Sequence, residues 1–360
     1  VESNFSKIHK TLTLFYNGDM KLDIEGKTVV LLVNLGTPNQ PKTKEVRTYL
    51  REFLSDKDVI RLPRIFWLPL LHLIILRVRP KKSAALYKKV WTEWGSPLLY
   101  NSFLQAGKLR KIFEKNVESN FVIDVAMRYG KPSIESKLVE YNSKGYKKIL
   151  ILPMFPQYST TTAKSIANKL ELILKKNISL RKNLDISFIK DFHDHEMYIK
   201  ATANHIRKFQ EKHGVPQKLL LSFHGIPKSY VGDDEPYQSQ CLITANLIAK
   251  ELGLSDEMYK TVFQSRFGKS EWIQPYLAQT LEQYPLEGIK DIQVFCPGFV
   301  SDCLETIEEI GQESRELFMD SGGLKYNFIP CLNGDEGLLN TLKDLIINHE
   351  DYSIKYKNLL

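Results

Sequence analysis

The chain has 360 residues, of which 43% are hydrophobic and 26% are charged. These are the proportions of an ordinary globular protein and exclude an intrinsically disordered chain. The length is sufficient for two lobes or for one large α/β unit. The formal net charge of +8 favours an acidic partner such as nucleic acid, an anionic lipid or a substrate with carboxylates.

The four cysteines form no CxxC pair and lack the spacing of a disulfide framework, which indicates a reducing, cytosolic compartment. Residues 1–27 are expected to be a poorly ordered N-terminal extension without a secretory signal, and Met20 is an alternative start.

Continuous apolar runs in the first half of the chain predict buried strands. These strands are Val29–Val33, Phe121–Met127 and Lys148–Leu152. Helical patterns fall between them, over residues 42–54, 83–92 and 101–115, and after the third strand up to residue 174.

The longest apolar run covers residues 65–76 and is too short for a bilayer span, which needs about 20 residues. It contains Pro69 and His72 and is flanked by arginine and lysine residues. Two interpretations stay open, a segment at a membrane interface or pocket lip and a buried core helix.

The second half repeats the alternation of strand, loop and helix. Its predicted strands are Asp185–Ile189, Lys218–Phe223, Lys260–Phe263, Ile292–Phe295 and Tyr326–Ile329. The alternation predicts an α/β fold with two parallel sheets of about four strands each. The expected domains are an N-terminal lobe over 28–180 with a lip at about 60–100, a C-terminal lobe over 181–330, and a helix and tail over 331–360.

Ligands of open α/β sheets bind beyond the carboxyl ends of the strands. His224 ends one predicted strand and precedes Gly225, a position typical of catalytic or metal-binding histidines, although a lone histidine is more often structural. Paired with Glu305, it would bind a divalent metal or move protons.

An acidic ladder follows the turn at Pro297-Gly298, on a helix for which Ser301 or Asp302 is the predicted cap. The ladder consists of Asp302, Glu305, Glu309, Glu313 and Glu316. Such a ladder is usually a solvated face, so its function depends on what lies opposite.

Several common motifs are absent from the sequence or incomplete. No GxGxxG follows the first strand, no GxSxG or HExxH occurs, and Gly268-Lys269-Ser270 lacks the first P-loop glycine because that position is Phe263. Scattered basic residues disfavour nucleic acid binding. The stretch 193–196 is either a metal cluster or, in preference, a helix start capped by Asp194.

Five segments in this order resemble the ferrochelatases, the enzymes that insert ferrous iron into protoporphyrin IX, and most of all their proteobacterial branch. They are Leu32–Pro38, Gln157–Ser159, Ser222–Pro227, Phe263–Gly268 and Pro297–Thr306. The resemblance covers about residues 28–348 and implies a chelatase-type fold of two Rossmann-like lobes with four-stranded parallel sheets and a central cleft for the porphyrin. The implied reaction is the last step of haem biosynthesis, with pyrrole deprotonation and ring distortion.

The resemblance also implies which residues form the site. His224 and Glu305 match the metal-binding pair, and Glu309 matches the next carboxylate of a line that moves metal or protons, so these three are the expected catalytic residues. The expected porphyrin contacts are Leu35, Arg79, Tyr87, Ser96, Arg128, Tyr129, Tyr158, Gln264, Ser265, Trp272 and Phe299.

The partners implied by the resemblance are protoporphyrin IX and ferrous iron as substrates and proteins that donate porphyrin or accept haem. Residues 65–76 correspond to a lip that contacts an anionic membrane surface, so a cytoplasmic, peripherally membrane-associated protein is expected. No nucleic acid, no permanently bound cofactor and no iron–sulfur cluster is expected, because no cysteine follows Cys331. Two departures are Cys303, where some members have His, and Phe192, where others have Trp or Tyr.

Two alternatives stay open at this point. The first is an enzyme that prefers coproporphyrin or another metal such as cobalt. The second is a tetrapyrrole or iron carrier without catalysis, against which the presence of both His224 and Glu305 argues.

Overall fold

The computed structural model describes residues 26–114, 120–232, 234–268 and 270–356. The predicted N-terminal extension and the alternative start at Met20 lie outside the described residues, apart from Gly26 and Lys27. The strands in the described parts are β1 (Thr28–Gly36), β2 (Phe121–Tyr129), β3 (Lys148–Pro153), β4 (Asp185–Ile189), β5 (Lys218–His224), β6 (Tyr259–Gln264), β7 (Asp291–Phe295), β8 (Lys325–Phe328) and β9 (Ser353–Lys355).

Helices connect these strands. The α-helices are Thr43–Leu54, Arg64–Leu70, Leu76–Val90, Pro97–Glu114, Ile134–Ser143, Ala163–Lys176, Ile178–Asn183, Glu196–His213, Tyr237–Leu252, Leu277–Gln283, Ser314–Asp320, Glu336–Ile347 and His349–Tyr352. Two segments, Leu71–Ile75 and Glu305–Glu313, are π-helices, and Lys228–Tyr230 is a turn of 3₁₀-helix.

Two sheets organise the described residues, and both contain parallel strand pairs. The first has the order β2-β1-β3-β4-β9 and the second the order β6-β5-β7-β8. The predicted α/β class and the second four-stranded sheet are confirmed. The first sheet has a fifth strand, because Ser353–Lys355 pairs antiparallel with β4. Three residues are too few to show strand periodicity in a sequence.

The chain divides into two compact units. The first contains the described residues up to Leu152, then Ser165–Ile189 and the described residues from Ser353 onward. The second contains Pro153–Lys164 and Lys190–Tyr352. The chain therefore passes from one unit to the other where these segments end. The sequence does not reveal these points, because the alternation of strands and helices continues unbroken through them.

Both sheets contain strands whose central residues are buried, as expected for a sheet that is covered on both faces. In β1 the residues from Val29 to Val33 are fully buried, as their uninterrupted apolar run predicts. In the second unit, Leu220, Val262 and Val294 from three neighbouring strands share one core cluster with Ile310 and Phe318. The helix that follows β7 is therefore held against the sheet by its apolar side.

The residues predicted as a lip form one long helical segment, Arg64–Val90, called the lip helix below. Its side chains divide between two faces: Trp67 is buried, with its indole N–H donating to the Leu54 carbonyl over 2.7 Å, whereas Ile65 and Phe66 are 76% and 74% exposed. The interpretation as a buried core helix is therefore wrong for one face of this segment. None of the described helices is long and apolar enough to cross a membrane.

Gly36, the last residue of β1, provides a test of the close contact between β1 and β2. Its φ is +113°, and a Cβ there would lie 1.8 Å from the Tyr129 carbonyl oxygen. We expect Gly36→Ala to lower the free energy of unfolding by about 3 kcal/mol or more, because backbone strain and a clash act together.

Gly107→Ala is the matched control for this substitution in urea unfolding, because it lies in a helix and a Cβ there would meet nothing within 4 Å. That change should be neutral or stabilising by up to about 1 kcal/mol. Equal effects of the two substitutions would contradict the expected clash.

Candidate active site

His224 is the last residue of β5, where it is paired in register with Gln264 of β6. Its Nδ1 lies 2.6 Å from the Gly225 carbonyl oxygen, which can only accept, so Nδ1 carries the proton and Nε2 keeps a lone pair. Burial lowers the pKa of His224 below its ordinary value, and this outweighs the opposing effects of the Gly225 carbonyl and the Glu305 carboxylate. The imidazole is therefore a neutral base or ligand at neutral pH.

Gly225 lets the chain turn tightly after His224. Its N–H donates to the Gln264 carbonyl over 2.8 Å, and a Cβ there would lie 2.9 Å from the same oxygen and 3.1 Å from the Trp272 ring. A side chain at this position would displace β6 or Trp272, so the His-Gly pair in the sequence reflects a close approach of two strands.

Gln264, predicted to contact the porphyrin, is buried and bonds to three other parts of the second unit. Its Oε1 accepts from the Ser222 hydroxyl over 2.8 Å and from the Cys296 thiol over 3.5 Å. Its Nε2 donates to the Glu305 carbonyl over 3.3 Å. The amide thus joins β5, the residue that follows β7 and the helix that carries Glu305.

Three members of the acidic ladder, Glu305, Glu309 and Glu313, lie on the π-helix Glu305–Glu313, a helix type that often marks functional sites. Asp302 precedes this helix, and Glu316 lies on the α-helix Ser314–Asp320. The predicted cap at Ser301 or Asp302 is wrong, because Leu304 is the residue at the helix start and no side chain caps it. The Asp302 carboxylate instead accepts hydrogen bonds from the Thr306 hydroxyl on the π-helix and from the Cys331 N–H. Glu305 and Glu309 are half-buried, whereas Glu313 and Glu316 are exposed.

Glu309 has an unusual acidity. Burial raises its pKa from 4.5 to about 7, the negative charge of Glu305 adds to this effect, and hydrogen bonds from Ser265 oppose it. The Ser265 hydroxyl donates to Glu309 Oε2 over 2.7 Å, from a backbone with a φ of +67°. Ser265 therefore contacts the ladder itself, and a carboxyl that titrates near neutral pH can both take up and release a proton.

Asp302 and Asn333 form a reciprocal pair at the start of the ladder. The Asp302 N–H donates to Asn333 Oδ1 over 2.8 Å, and Asn333 Nδ2 donates to Asp302 Oδ2 over 2.6 Å. The other carboxylate oxygen, Oδ1, accepts from the Thr306 hydroxyl over 3.0 Å.

Three aromatic residues among the predicted porphyrin contacts lie in the second unit. Trp272 is buried and its ring contacts Phe267 edge-on, with centroids 4.9 Å apart. Phe299 packs partly buried against the core of the second sheet. Tyr158 is half-buried, and the Lys190 ammonium lies 4.7 Å from its ring centroid.

Arg128 and Tyr129, also predicted as porphyrin contacts, are buried in the first unit around Asp56. The Arg128 guanidinium forms an ion pair with Asp56, and the hydroxyls of Tyr129 and Ser165 each donate to Asp56 Oδ2 over 2.7 Å. Burial alone would raise the pKa of Asp56, but Arg128 and the hydroxyl groups hold it below the ordinary value. Both side chains thus bond inside the protein, and contact with a porphyrin stays a prediction for them.

The other predicted contacts of the first unit differ in exposure. Ser96 is buried and accepts from the Thr37 hydroxyl over 2.9 Å, and the Leu35 N–H donates to the Asn34 side chain over 2.9 Å. Tyr87 is buried with its ring near Trp91, whereas Arg79 is exposed on the lip helix. Their contact with substrate stays a prediction.

The histidine stretch at 193–196 is divided between two pairs. His193 Nδ1 lies 2.7 Å from Asp191 Oδ1, and His195 Nε2 lies 3.1 Å from Asp344 Oδ2. The helix begins at Glu196 with His195 as its cap residue, so the predicted cap at Asp194 is wrong. In the described ranges no group of three or more His, Cys, Asp or Glu side chains is placed to hold a metal ion.

Sequence reasoning missed Asn333 and Asp56. Asn333 has a φ of +50°, a conformation that asparagine tolerates better than most residues, and it stands in a Leu-Asn-Gly-Asp turn that was a usable signal. Asp56 lies 72 residues from its ion-pair partner, so no local pattern indicates it.

The raised pKa of Glu309 predicts how stability depends on pH. Between pH 4.5 and about 7 the folded protein binds more protons at Glu309 than the unfolded chain, so this residue reduces stability as pH rises. Glu309→Gln removes that loss and keeps an acceptor for Ser265. We expect it to stabilise the protein by up to about 3 kcal/mol at pH 8 and little at pH 5, at about 1.4 kcal/mol for each pKa unit.

Urea unfolding at the two pH values measures this difference. Glu316→Gln, which removes an exposed carboxylate of the same ladder, is the matched control and should behave alike at both pH values. A stability change for Glu309→Gln that is the same at pH 5 and pH 8 would contradict the raised pKa.

Comparison with known proteins connects this geometry to a family. A family model described as Ferrochelatase matches residues 27–350. A ferrochelatase from Idiomarina loihiensis is 45% identical over 324 residues, which cover 90% of this chain and 88% of that protein. A ferrochelatase from Alcanivorax borkumensis is 46% identical over 320 residues, which cover 89% of this chain and 93% of that protein.

A solved structure, SirB from Bacillus subtilis with Fe3+, has a similar fold at 14% identity, with a TM-score of 0.50 and coverage of 90% of this chain and 98% of that one. It supports the predicted chelatase-type fold, and the resemblance stated from the sequence motifs is confirmed by the family match and the relatives. The chain belongs to the ferrochelatase family.

Proposed function

We propose that His224, Glu305 and Glu309 carry out the reaction of this ferrochelatase, with protoporphyrin IX as the porphyrin. The family match and the relatives support an enzyme that inserts iron into a porphyrin and so makes haem. The observation that carries the assignment of residues is that the neutral imidazole of His224 lies within electrostatic range of the Glu305 carboxylate on the π-helix.

His224 and Glu305 are the proposed ligands of the incoming ferrous ion. Imidazole nitrogen and carboxylate oxygen are both suitable ligands for iron. Because the pKa of His224 is lowered and its proton is on Nδ1, Nε2 is available to a cation without losing a proton first. The Gly225 carbonyl accepts from Nδ1 and so fixes the orientation of the ring.

Glu309 is the proposed acceptor for protons that leave the pyrrole nitrogens. Each porphyrin must lose two N–H protons as the dication enters, so that the product ring balances the two charges of iron. A carboxyl with a pKa of about 7 accepts such a proton and releases it at neutral pH. The next carboxylate of the ladder, Glu313, is exposed, which gives the proton a route toward solvent.

Aromatic side chains near the site are the proposed contacts for the porphyrin plane. Trp272 contacts the Gly225 turn beside His224, and Phe299 lies in the loop that leads to Glu305. A flat apolar ring binds well to such side chains, and binding energy can support distortion of the ring toward the geometry that accepts the metal. Of the two arginines predicted to contact substrate, Arg79 is exposed and Arg128 is engaged by Asp56.

The test is haem formation from ferrous iron and protoporphyrin IX under anaerobic conditions. We expect His224→Ala and Glu305→Gln each to lower kcat by about 100-fold or more, because each removes a group that acts on the metal or its protons. Porphyrin binding, followed by fluorescence, should be retained in both.

Matched controls are His213→Ala, an exposed histidine, and Glu316→Gln, an exposed carboxylate. Both should turn over at close to the wild-type rate. Turnover near wild type in His224→Ala or Glu305→Gln would sink the assignment of that residue.

We also propose that the lip helix places this cytoplasmic enzyme on an anionic membrane surface. Ile65, Phe66, Leu73, Ile74 and Val78 are each more than half exposed on this helix. The exposed Arg77 stands among them, and arginine at such a position attracts anionic headgroups while the apolar side chains enter the interface.

Vesicle sedimentation tests this contact. Ile65→Ser combined with Phe66→Ser should weaken binding to anionic vesicles about tenfold or more, because two apolar side chains are lost from the buried interface. Arg77→Glu should weaken binding to anionic vesicles more than to zwitterionic ones.

Leu172→Ser and Ile178→Ser, at sites 52% and 65% exposed outside the lip helix, are the controls and should bind as wild type does. An equal loss of binding in these controls, or none in the lip variants, would remove the basis for the membrane contact.

We propose further that the enzyme holds no iron–sulfur cluster or other permanent cofactor. The support is that Cys241, Cys296, Cys303 and Cys331 are buried thiols. Burial raises the pKa of each well above the ordinary value, which disfavours the thiolate that a cluster needs. The absorption spectrum and iron content of the purified enzyme test this.

A further inference from the structure

We propose that Asn333 is a positioning residue for iron insertion, which acts by fixing the start of the π-helix that carries Glu305. The inference rests on the proposed role of Glu305 at the metal. Asn333 lies in the loop after β8 and bonds to the segment that precedes the π-helix.

Both the oxygen and the nitrogen of the Asn333 side-chain amide form a hydrogen bond with Asp302. Its oxygen accepts the Asp302 N–H over 2.8 Å and its nitrogen donates to the Asp302 carboxylate over 2.6 Å. The Asn333 N–H donates to the Val300 carbonyl over 2.9 Å, which adds a third bond to the same loop. The left-handed backbone of Asn333 aims these groups in the required direction.

Asp302 transfers this constraint to Glu305. Its Oδ1 accepts from the Thr306 hydroxyl over 3.0 Å and from the Cys331 N–H over 3.2 Å. Thr306 is fully buried and also accepts the Cys303 N–H over 3.0 Å. Glu305 thus stands next to Thr306 in a turn whose two ends are bonded to each other.

A second constraint on Glu305 comes from β6. Gln264 donates to its carbonyl over 3.3 Å from the end of β6. The backbone at Glu305 is thereby held between β6 and the loop that contains Asn333. If the Asn333 side chain is removed, the buried Asp302 carboxylate loses its amide donor. The turn must then rearrange to give this carboxylate another donor.

An exchange of the two side chains tests the pair. Asn333→Asp alone sets two carboxylates against each other, and Asp302→Asn alone sets two NH₂ groups against each other. The double variant Asp302→Asn with Asn333→Asp restores the bond between the two side chains with donor and acceptor exchanged, and it leaves the direction of the other bonds unchanged. The new amide at position 302 keeps an oxygen for Thr306 and Cys331, and the new carboxylate at position 333 accepts from that amide and from the backbone N–H of residue 302.

We expect each single variant to lower kcat about tenfold or more and to change KM for protoporphyrin less than about threefold, because misplacement of a catalytic group affects the chemical step. The double variant should recover kcat to within about threefold of wild type. Melting temperature and circular dichroism are measured for all three. Asn333→Gly, which tolerates the left-handed backbone but lacks the amide, provides a fourth variant and should lose kcat as the single variants do.

A double variant that stays as slow as the single variants overturns the proposal, because the pairing would then not be what matters. Single variants with lowered melting temperature but wild-type kcat also overturn it, since Asn333 would then only stabilise the fold. The role of Glu305 is tested separately: wild-type turnover in Glu305→Gln refutes that role, whereas slow Glu305→Gln with fast Asn333→Gly refutes the positioning role alone.

Discussion

The hydrogen bonds of one buried amide, Gln264, connect the strand that ends in His224 with the helix that carries Glu305. Parallel pairing of β5 with β6 places His224 opposite Gln264, and the amide of Gln264 bonds to both Ser222 on β5 and the start of the π-helix. Because these donors and acceptors are excluded from water, a shift of β5 or of the π-helix relative to Gln264 would leave buried polar groups without hydrogen bonds. The relative positions of histidine and ladder are therefore set by the sheet and not by the surface loops alone.

Burial acts with opposite sign on the two kinds of titrating group at this site. It lowers the pKa of His224 and raises the pKa of Glu309, so both groups favour their neutral forms. A dication that enters such a site gains from carboxylates that can still ionise, and the imidazole need not first release a proton. In the proposed reaction, each proton that leaves the porphyrin offsets one of the two positive charges that iron brings, and Glu309 would take up such a proton.

Strand positions and the chelatase-type fold were within reach of the sequence, because continuous apolar runs and short motifs are local signals. The catalytic roles of His224, Glu305 and Glu309 stay predictions. The environment of Arg128 was not within reach, since its partner Asp56 precedes it by 72 residues and a basic side chain at a strand end fits an ion pair as well as a substrate. The sequence predicted the wrong cap for the helix that starts at Leu304. Asp302 is a good cap by residue type, but its carboxylate is bonded to Asn333, which lies in another loop. Tertiary bonds override local preference in both cases.

The backbone at Ser265 restricts which residue types can serve there. Its φ of +67° costs a serine about 1 to 3 kcal/mol, and its hydroxyl donates to Glu309. Glycine would relieve the backbone and lose the donor, alanine would keep the strain and lose the donor, and threonine would add a β-branch that positive φ disfavours. Serine is the smallest hydroxyl-bearing residue. From its strained backbone at position 265 it donates to Glu309, whose pKa is about 7.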